Sequence, residues 1–288
     1  MAEVVGRMHL LREPLPAPVH ASPPAAPPHI TGKSRLDEIR ERGFLRVGYL
    51  LDRLPYAFEN ARGELVGFDV ELAHDLARTF NVRLEFVPIN RERLTEQVNA
   101  GDCDILMSGL AVTPERAAQM TLTASYHDET LAFVVPSHRR KEFGSRAAIG
   151  KQKGLRLGIL GNQYYTARLR AALPLAECIE LSSPREFFEG KRADLDAFLF
   201  TAEAGSAWTL LYPRFAVVVP QPGLSSLPLA YAVARGDQVL VDYVNAWLEL
   251  KRKDGTTTRL YDYWILGRGA VEKGPRWSVI RNVLHWVN

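Results

Sequence analysis

Short apolar runs recur along this chain and alternate with helical patterns, and that alternation constrains the fold more than any single motif. Phe44 to Tyr49, Arg83 to Pro88 and Asp104 to Ser108 are strand-length and continuously apolar enough to be buried on both faces, as in a parallel sheet. Asp69 to Phe80 and Arg93 to Asn99 read as helices between them. Thr130 to Pro136 is a further β-rich run, and from Leu155 the pattern restarts. Arg156 to Leu160, Glu177 to Leu181, Ala197 to Phe200 and Phe215 to Val219 read as strands, with helices over Tyr164 to Ala172, Pro184 to Gly190 and Ala202 to Leu211. Leu229 to Ala234 then reads as a returning strand, before helices at Asp237 to Lys253 and Thr256 to Leu266. A chain of 288 residues that is 47% apolar and 24% charged has room for two such α/β bodies. The expected division is a flexible segment over 1–33, a first lobe over 34–136 plus 228–288, and a second lobe over 137–227.

Local signals fill in this outline. Leu72, Ala73, Leu76, Ala77 and Phe80 share one helical face, and Asp69 is placed to cap that helix. Val239, Leu240, Tyr243, Val244, Trp247 and Leu248 form the expected inward face of the helix that Gly255 stops. Pro14 to Pro28 is rich in Pro and Ala and is expected to be an extended, mobile spacer. Met1 to Leu11 lacks the apolar stretch of a signal peptide, and no apolar run approaches the roughly 18 to 20 residues that span a bilayer. The expectation is therefore a soluble body whose signal was removed or whose membrane segments lay upstream. A net charge of +3 is too small to indicate nucleic acid as a partner. Cys103 and Cys178, expected in different lobes, read as two buried free thiols and not as a disulfide framework or metal site.

The stretch most suggestive of function runs from Asp102 to Arg116. A strand ends there, Ser108-Gly109 is expected to break it into a loop, Thr113 can cap a new helix, and Pro114 suits its first position. Ser108, Gly109, Leu110 and Ala111 line that loop, and Arg116 falls in the first helical turn. A forked guanidinium beside a helix start is a carboxylate receptor; the alternative is an Arg116 paired with Glu115 or another surface acid. Ligands of open α/β sheets collect at the carboxyl ends of strands, so the loop after Tyr49 is also a candidate. It offers Tyr56 and Phe58 to cover a ligand, or to pack the lobe.

Leu45-Arg46-Val47-Gly48, Gly63 to Ala73, Gly101-Asp102-Cys103-Asp104 and Thr113-Pro114-Glu115-Arg116 stand in the order and approximate spacing of the type II periplasmic solute-binding proteins, amino-acid-binding branch. The resemblance covers about Leu36 to Gly267 and is firmer in the first half. It implies a two-lobed α/β fold with a hinge and an interlobe cleft, a periplasmic location with possible tethering through an upstream segment, and a permease or attached membrane domain as partner. Arg116 would grip the carboxylate of a small ligand, and Gly161, Asn162 and Gln163 would contribute from the second lobe. Two departures bear on the ligand. Ala111 stands where the family offers a hydroxyl, and Thr201 stands where it offers an acid for the α-ammonium. Glu203, two residues on, could replace that acid or be a carboxylate favoured by the helix start; without it the ligand would be a plain organic acid. A sensor domain for an organic acid or dicarboxylate is the alternative. Some members of the fold are cyclohexadienyl dehydratases, and Glu203 alone could serve as their general acid. No Ser/His/Asp, metal or cofactor set is recognisable, so the chain is expected to be no enzyme, with no cofactor and no metal.

Overall fold

The computed structural model describes residues 2–29, 32–160, 163–224 and 226–268. These form two compact units: Gly6–His127 with Pro228–Trp264, and a second built on Asp128–Leu227. In the first unit the strands run Arg83–Pro88, Phe44–Tyr49, Ile105–Ala111 and Ser226–Val233 across the sheet. The first three are parallel, the fourth is antiparallel to its neighbour, and Thr121–Leu122 pairs beyond it. Crossover connections between parallel strands put helices on the faces, and Phe68–Phe80 buries nearly every side chain as one of them. The helices Gln238–Lys253 and Thr256–Trp264 belong to this unit.

The second unit repeats the plan. Glu177–Leu181, Arg156–Leu160 and Ala197–Thr201 lie side by side, parallel, and His127–Pro136 runs antiparallel to the last of them. Phe215–Val218 adds to the far side of His127–Pro136. Phe133, Leu157, Ala197 and Val218 belong to its core.

Several expectations are corrected. The Pro/Ala-rich segment is no loose spacer: Phe86 N–H donates to Pro18 O, and His20 N–H to Phe86 O, each at 2.9 Å. The strand Arg83–Pro88 is otherwise the edge of its sheet, and an edge offers unpaired backbone groups that an extended segment can satisfy. Proline suits that place, since Pro18 contributes only its carbonyl. Leu11 N–H is bonded to the Glu71 carboxylate, and Arg12 pairs with Asp75 at 2.8 Å. The compact units divide after His127, within a continuous strand, and not after Pro136. Val239 is 54% exposed, because the inward stripe of its helix is carried by Leu240, Val241, Val244, Trp247 and Leu248. Cys103 is buried and free, whereas Cys178 is free and only half-buried, on a strand whose one pairing leaves it near the sheet's edge.

Candidate functional site

Ile105–Ala111 is the strand on which the first unit's polar apparatus is built. It pairs with Phe44–Tyr49 only through Ile105 and Leu106, so its last residues run on past the neighbour. Ser108-Gly109 does not end the strand, contrary to expectation. Gly109 takes φ +58, and the register against Ser226–Val233 shifts between Ala230 and Ala232. Two extra residues on Ile105–Ala111 have been absorbed there as a bulge, which glycine permits because it lacks a Cβ. A Cβ at Gly109 would lie 2.7 Å from Cδ2 of Tyr56. Ser108 is fully buried and its Oγ accepts from the Leu50 N–H at 3.0 Å, which fixes the exit of the first strand. Leu110 is part of the apolar core.

Asp69 holds the bulge from beneath. It accepts from Gly109 N–H at 2.6 Å, Tyr126 OH at 2.9 Å and Tyr231 OH at 2.8 Å. It is no helix cap: the helix starts at Phe68, with Gly67 at the cap position and no side-chain cap bond. Its carboxyl is pushed up to about 7, chiefly by complete burial, against the pull of these bonds and of the Arg53 charge.

Thr113 caps the following helix, Pro114–Gln119, by accepting from Arg116 N–H at 3.2 Å. That bond and Pro114 place Arg116, whose Nη1 donates to Ala111 O at 2.7 Å. The guanidinium is half-buried. A second arginine, not singled out from the sequence, sits beside it. Arg53 donates through Nε and Nη2 to Gly109 O at 3.2 and 2.8 Å and lies 5.3 Å from the centre of the Tyr56 ring. Arg91, just past Arg83–Pro88, is the third; burial first, then the charges of Arg53 and Arg116, push its pKa down to about 10. The signal for Arg53 and Arg91 was the one that pointed to Tyr56, a loop at the carboxyl end of a parallel strand. Tyr56 is fully buried, edge-on to Phe68 at 6.2 Å. Phe58 packs on Trp264 at 5.9 Å and is buried in the unit's core.

The second unit gathers carboxylates. Thr201 ends the strand Ala197–Thr201 and caps the helix Ala202–Leu211, accepting from Ala204 N–H at 3.2 Å. Its hydroxyl also donates to Glu129 Oε1 at 2.8 Å. Glu203 Oε2 accepts from Thr130 N–H at 2.9 Å. Burial, then the charge of Glu129, pushes Glu203 up to about 8. Glu129, fully buried on the strand His127–Pro136, was not foreseen; a lone acid in a β-rich run gave no pattern to read. Gln163 opens the helix Gln163–Ala172, while Gly161, Asn162 and the Gln163 side chain lie outside the described residues. Among the described residues no cluster of His, Cys, Asp and Glu is arranged to hold a metal, and no helix is long and apolar enough to cross a membrane.

The profile of the bacterial extracellular solute-binding proteins, family 3, matches residues 45–267. A cyclohexadienyl dehydratase of Pseudomonas aeruginosa is 25% identical over 236 residues, 81% of this chain and 87% of that protein. The ABC transporter arginine-binding protein 1 of Escherichia coli is 23% identical over 214 residues, 73% of this chain and 86% of that protein. The crystal structure of an ancestral amino acid-binding protein, described as a precursor of cyclohexadienyl dehydratase, superposes with a TM-score of 0.72 at 29% identity. It covers 81% of this chain and 100% of its own.

Proposed function

The chain belongs to the bacterial extracellular solute-binding proteins, family 3, and we propose that within that family it captures a small carboxylate solute, in the first instance an amino acid, for delivery to an ABC permease. The observation that carries this reading is the mounting of Arg116. Its backbone is fixed by the Thr113 cap and one Nη by the Ala111 carbonyl, so the fork is oriented before a ligand arrives. Pre-orientation of this kind lowers the cost of binding. Ser108, Leu110 and Ala111 then act through the backbone they hold and Gly109 through the bulge, while Tyr56 backs the arginines. In the second unit Glu203 is the acid for a ligand ammonium, whose charge would draw off the proton that burial holds on the carboxyl, since a buried ammonium must find a counter-charge. Arginine-binding and amino acid-binding relatives support the amino-acid reading.

Calorimetry against a panel of amino acids and organic acids tests it. Binding of at least one carboxylate solute, weakened at least about tenfold by Arg116→Lys, is expected, because a point ammonium cannot reproduce a bidentate fork. No carboxylate ligand, or an Arg116→Lys variant with parental affinity, overturns it.

A second reading is favoured by one observation. Glu203, raised to about 8, holds its proton at neutral pH, as a general acid must, and a dehydratase is among the relatives. Such an enzyme would expel water from a cyclohexadienyl acid, with Glu203 protonating the departing hydroxyl while the electron pair of the breaking ring–carboxylate bond completes the aromatic ring and CO2 leaves. Turnover of a cyclohexadienyl acid that vanishes in Glu203→Gln would establish it; the absence of turnover leaves the binding protein.

A further inference from the structure

The first unit holds more positive charge than a single carboxylate needs. Arg83–Pro88, Phe44–Tyr49 and Ile105–Ala111 are neighbours in one sheet, all parallel, and each is followed on its carboxyl side by one of Arg91, Arg53 and Arg116. Arg53 and Arg116 are anchored on the carbonyls of Gly109 and Ala111. These are two residues apart on one strand, so the anchors stand roughly 7 Å apart. Arg91 completes the group from the other side of the central strand, close enough for both charges to act on it.

Arg91 is unlike the chain's other sheltered arginines. Arg42 is bonded to Asp104, Arg35 lies 3.3 Å from Glu38, and Arg46 lies 3.3 Å from Glu85. Among the described residues, no acid lies within ion-pair distance of Arg91. Asp69, an acid of the unit that feels Arg53, is already bonded by Gly109, Tyr126 and Tyr231, and burial keeps it partly protonated at neutral pH. The charges of Arg53 and Arg116 both oppose that of Arg91 in its half-desolvated place. An anion arriving there relieves that opposition, and each charge-assisted bond it accepts is stronger than a neutral one.

We propose that the three-arginine face receives a solute with two anionic groups, a dicarboxylate or an acidic amino acid, with one carboxylate on Arg116 and the other taken by Arg91 and Arg53. It rests on the reading that Arg116 grips a ligand carboxylate. Arg91 supplies charge and hydrogen bonds to the second carboxylate, while Arg53, tied twice to Gly109 O, supplies mainly charge.

Titration calorimetry on the full chain with L-glutamate, glutarate, L-glutamine and L-arginine tests this. L-glutamate or glutarate should bind at least about tenfold more tightly than L-glutamine, and the preference should shrink about tenfold in Arg91→Gln and partly persist in Arg91→Lys, which keeps the charge but not the fork. Thermal unfolding of each variant without ligand confirms that it is folded. Should Arg91→Gln not fold, the salt dependence of the parent decides, since the preference for the dianion should fall as ionic strength rises. L-glutamine or L-arginine bound as tightly as L-glutamate, with the ratio unmoved by Arg91→Gln, overturns the two-anion inference while leaving Arg116 in its role. Failure of every carboxylate, with Arg116→Lys silent, removes the underlying reading as well.

Discussion

The two units are built alike, but the residues gathered where their third parallel strands end are arginines in one and glutamates in the other. In each, the second parallel strand lies outside the first, the third lies on the other side, and an antiparallel strand follows. In each, a threonine at the end of the third strand's connection caps the next helix, Thr113 accepting from Arg116 N–H and Thr201 from Ala204 N–H. The first turn beyond the cap carries Arg116 in one unit and Glu203 in the other. Around Arg116 stand Arg53 and Arg91; around Glu203 stands Glu129. Topology therefore selects the place where chemistry gathers, the carboxyl ends of parallel strands, and leaves the sign of the charge to the residues. The supports differ as well. The arginine face rests on a glycine bulge held by a buried acid, while the glutamates rest on a helix cap and one backbone N–H.

The support beneath Gly109 should break most severely. Asp69→Ala leaves two tyrosine hydroxyls and a backbone N–H without their acceptor, and a buried unsatisfied group costs about 1 to 3 kcal/mol each. A loss of roughly 3 kcal/mol or more is expected in denaturant unfolding, with carboxylate binding lost at the same time. Unfolding stability equal to the parent's would show that the bulge stands without Asp69.

Arg116→Lys is the next largest, a binding loss of at least about 1.4 kcal/mol with the fold intact, read by calorimetry. The corresponding change in the other unit, Glu203→Gln, separates ligand classes. A ligand with an ammonium should bind a few kcal/mol more weakly, because its buried counter-charge is gone. A plain dicarboxylate should bind unchanged at neutral pH, where Glu203 is protonated, and better only above about pH 8, where a like charge has been removed. An amino acid that binds Glu203→Gln as well as the parent excludes Glu203 from the site.

The pH dependence of stability compares the units directly. Asp69 and Glu203 are both raised, to about 7 and about 8 from ordinary values of 3.8 and 4.5. Between the ordinary and the raised value the folded chain binds more protons than the unfolded one, so stability falls as pH rises through that window and is greatest on its acid side. The melting temperature should decline from pH 5 to pH 8, and Glu203→Gln should flatten the decline, most clearly near pH 8, where Asp69 has largely ionised. A variant profile parallel to the parent's would show that Glu203 titrates normally.

The smallest effect is expected at Arg91. Without ligand, Arg91→Gln relieves a repulsion and should be as stable as the parent or slightly more so, by up to about 1 kcal/mol. A marked destabilisation in thermal unfolding would mean that Arg91 holds the loop after Pro88 in place.

The strands and helices were legible because their causes are local. The limits of Phe44–Tyr49, Arg83–Pro88, Arg156–Leu160 and Glu177–Leu181 coincide with runs of apolar residues, and Thr113 and Pro114 act on neighbours within one turn. The place of Arg116 in the first helical turn could be read for the same reason. Asp69 looked like a cap because the sequence displays only adjacent residues, whereas two of its partners, Tyr126 and Tyr231, lie 57 and 162 positions away. Arg53 and Arg91 come near each other because the sheet sets the second, first and third strands side by side, an order that periodicity does not encode. The Pro/Ala-rich segment looked unstructured because it has no core of its own; the edge of Arg83–Pro88 supplies it with a partner. Residue type and short-range pattern determined the elements, the cap and the first arginine. Long-range strand pairing decided which charges stand together and which acid lies buried beneath them, since contacts between distant residues depend on the closed fold and not on spacing along the chain.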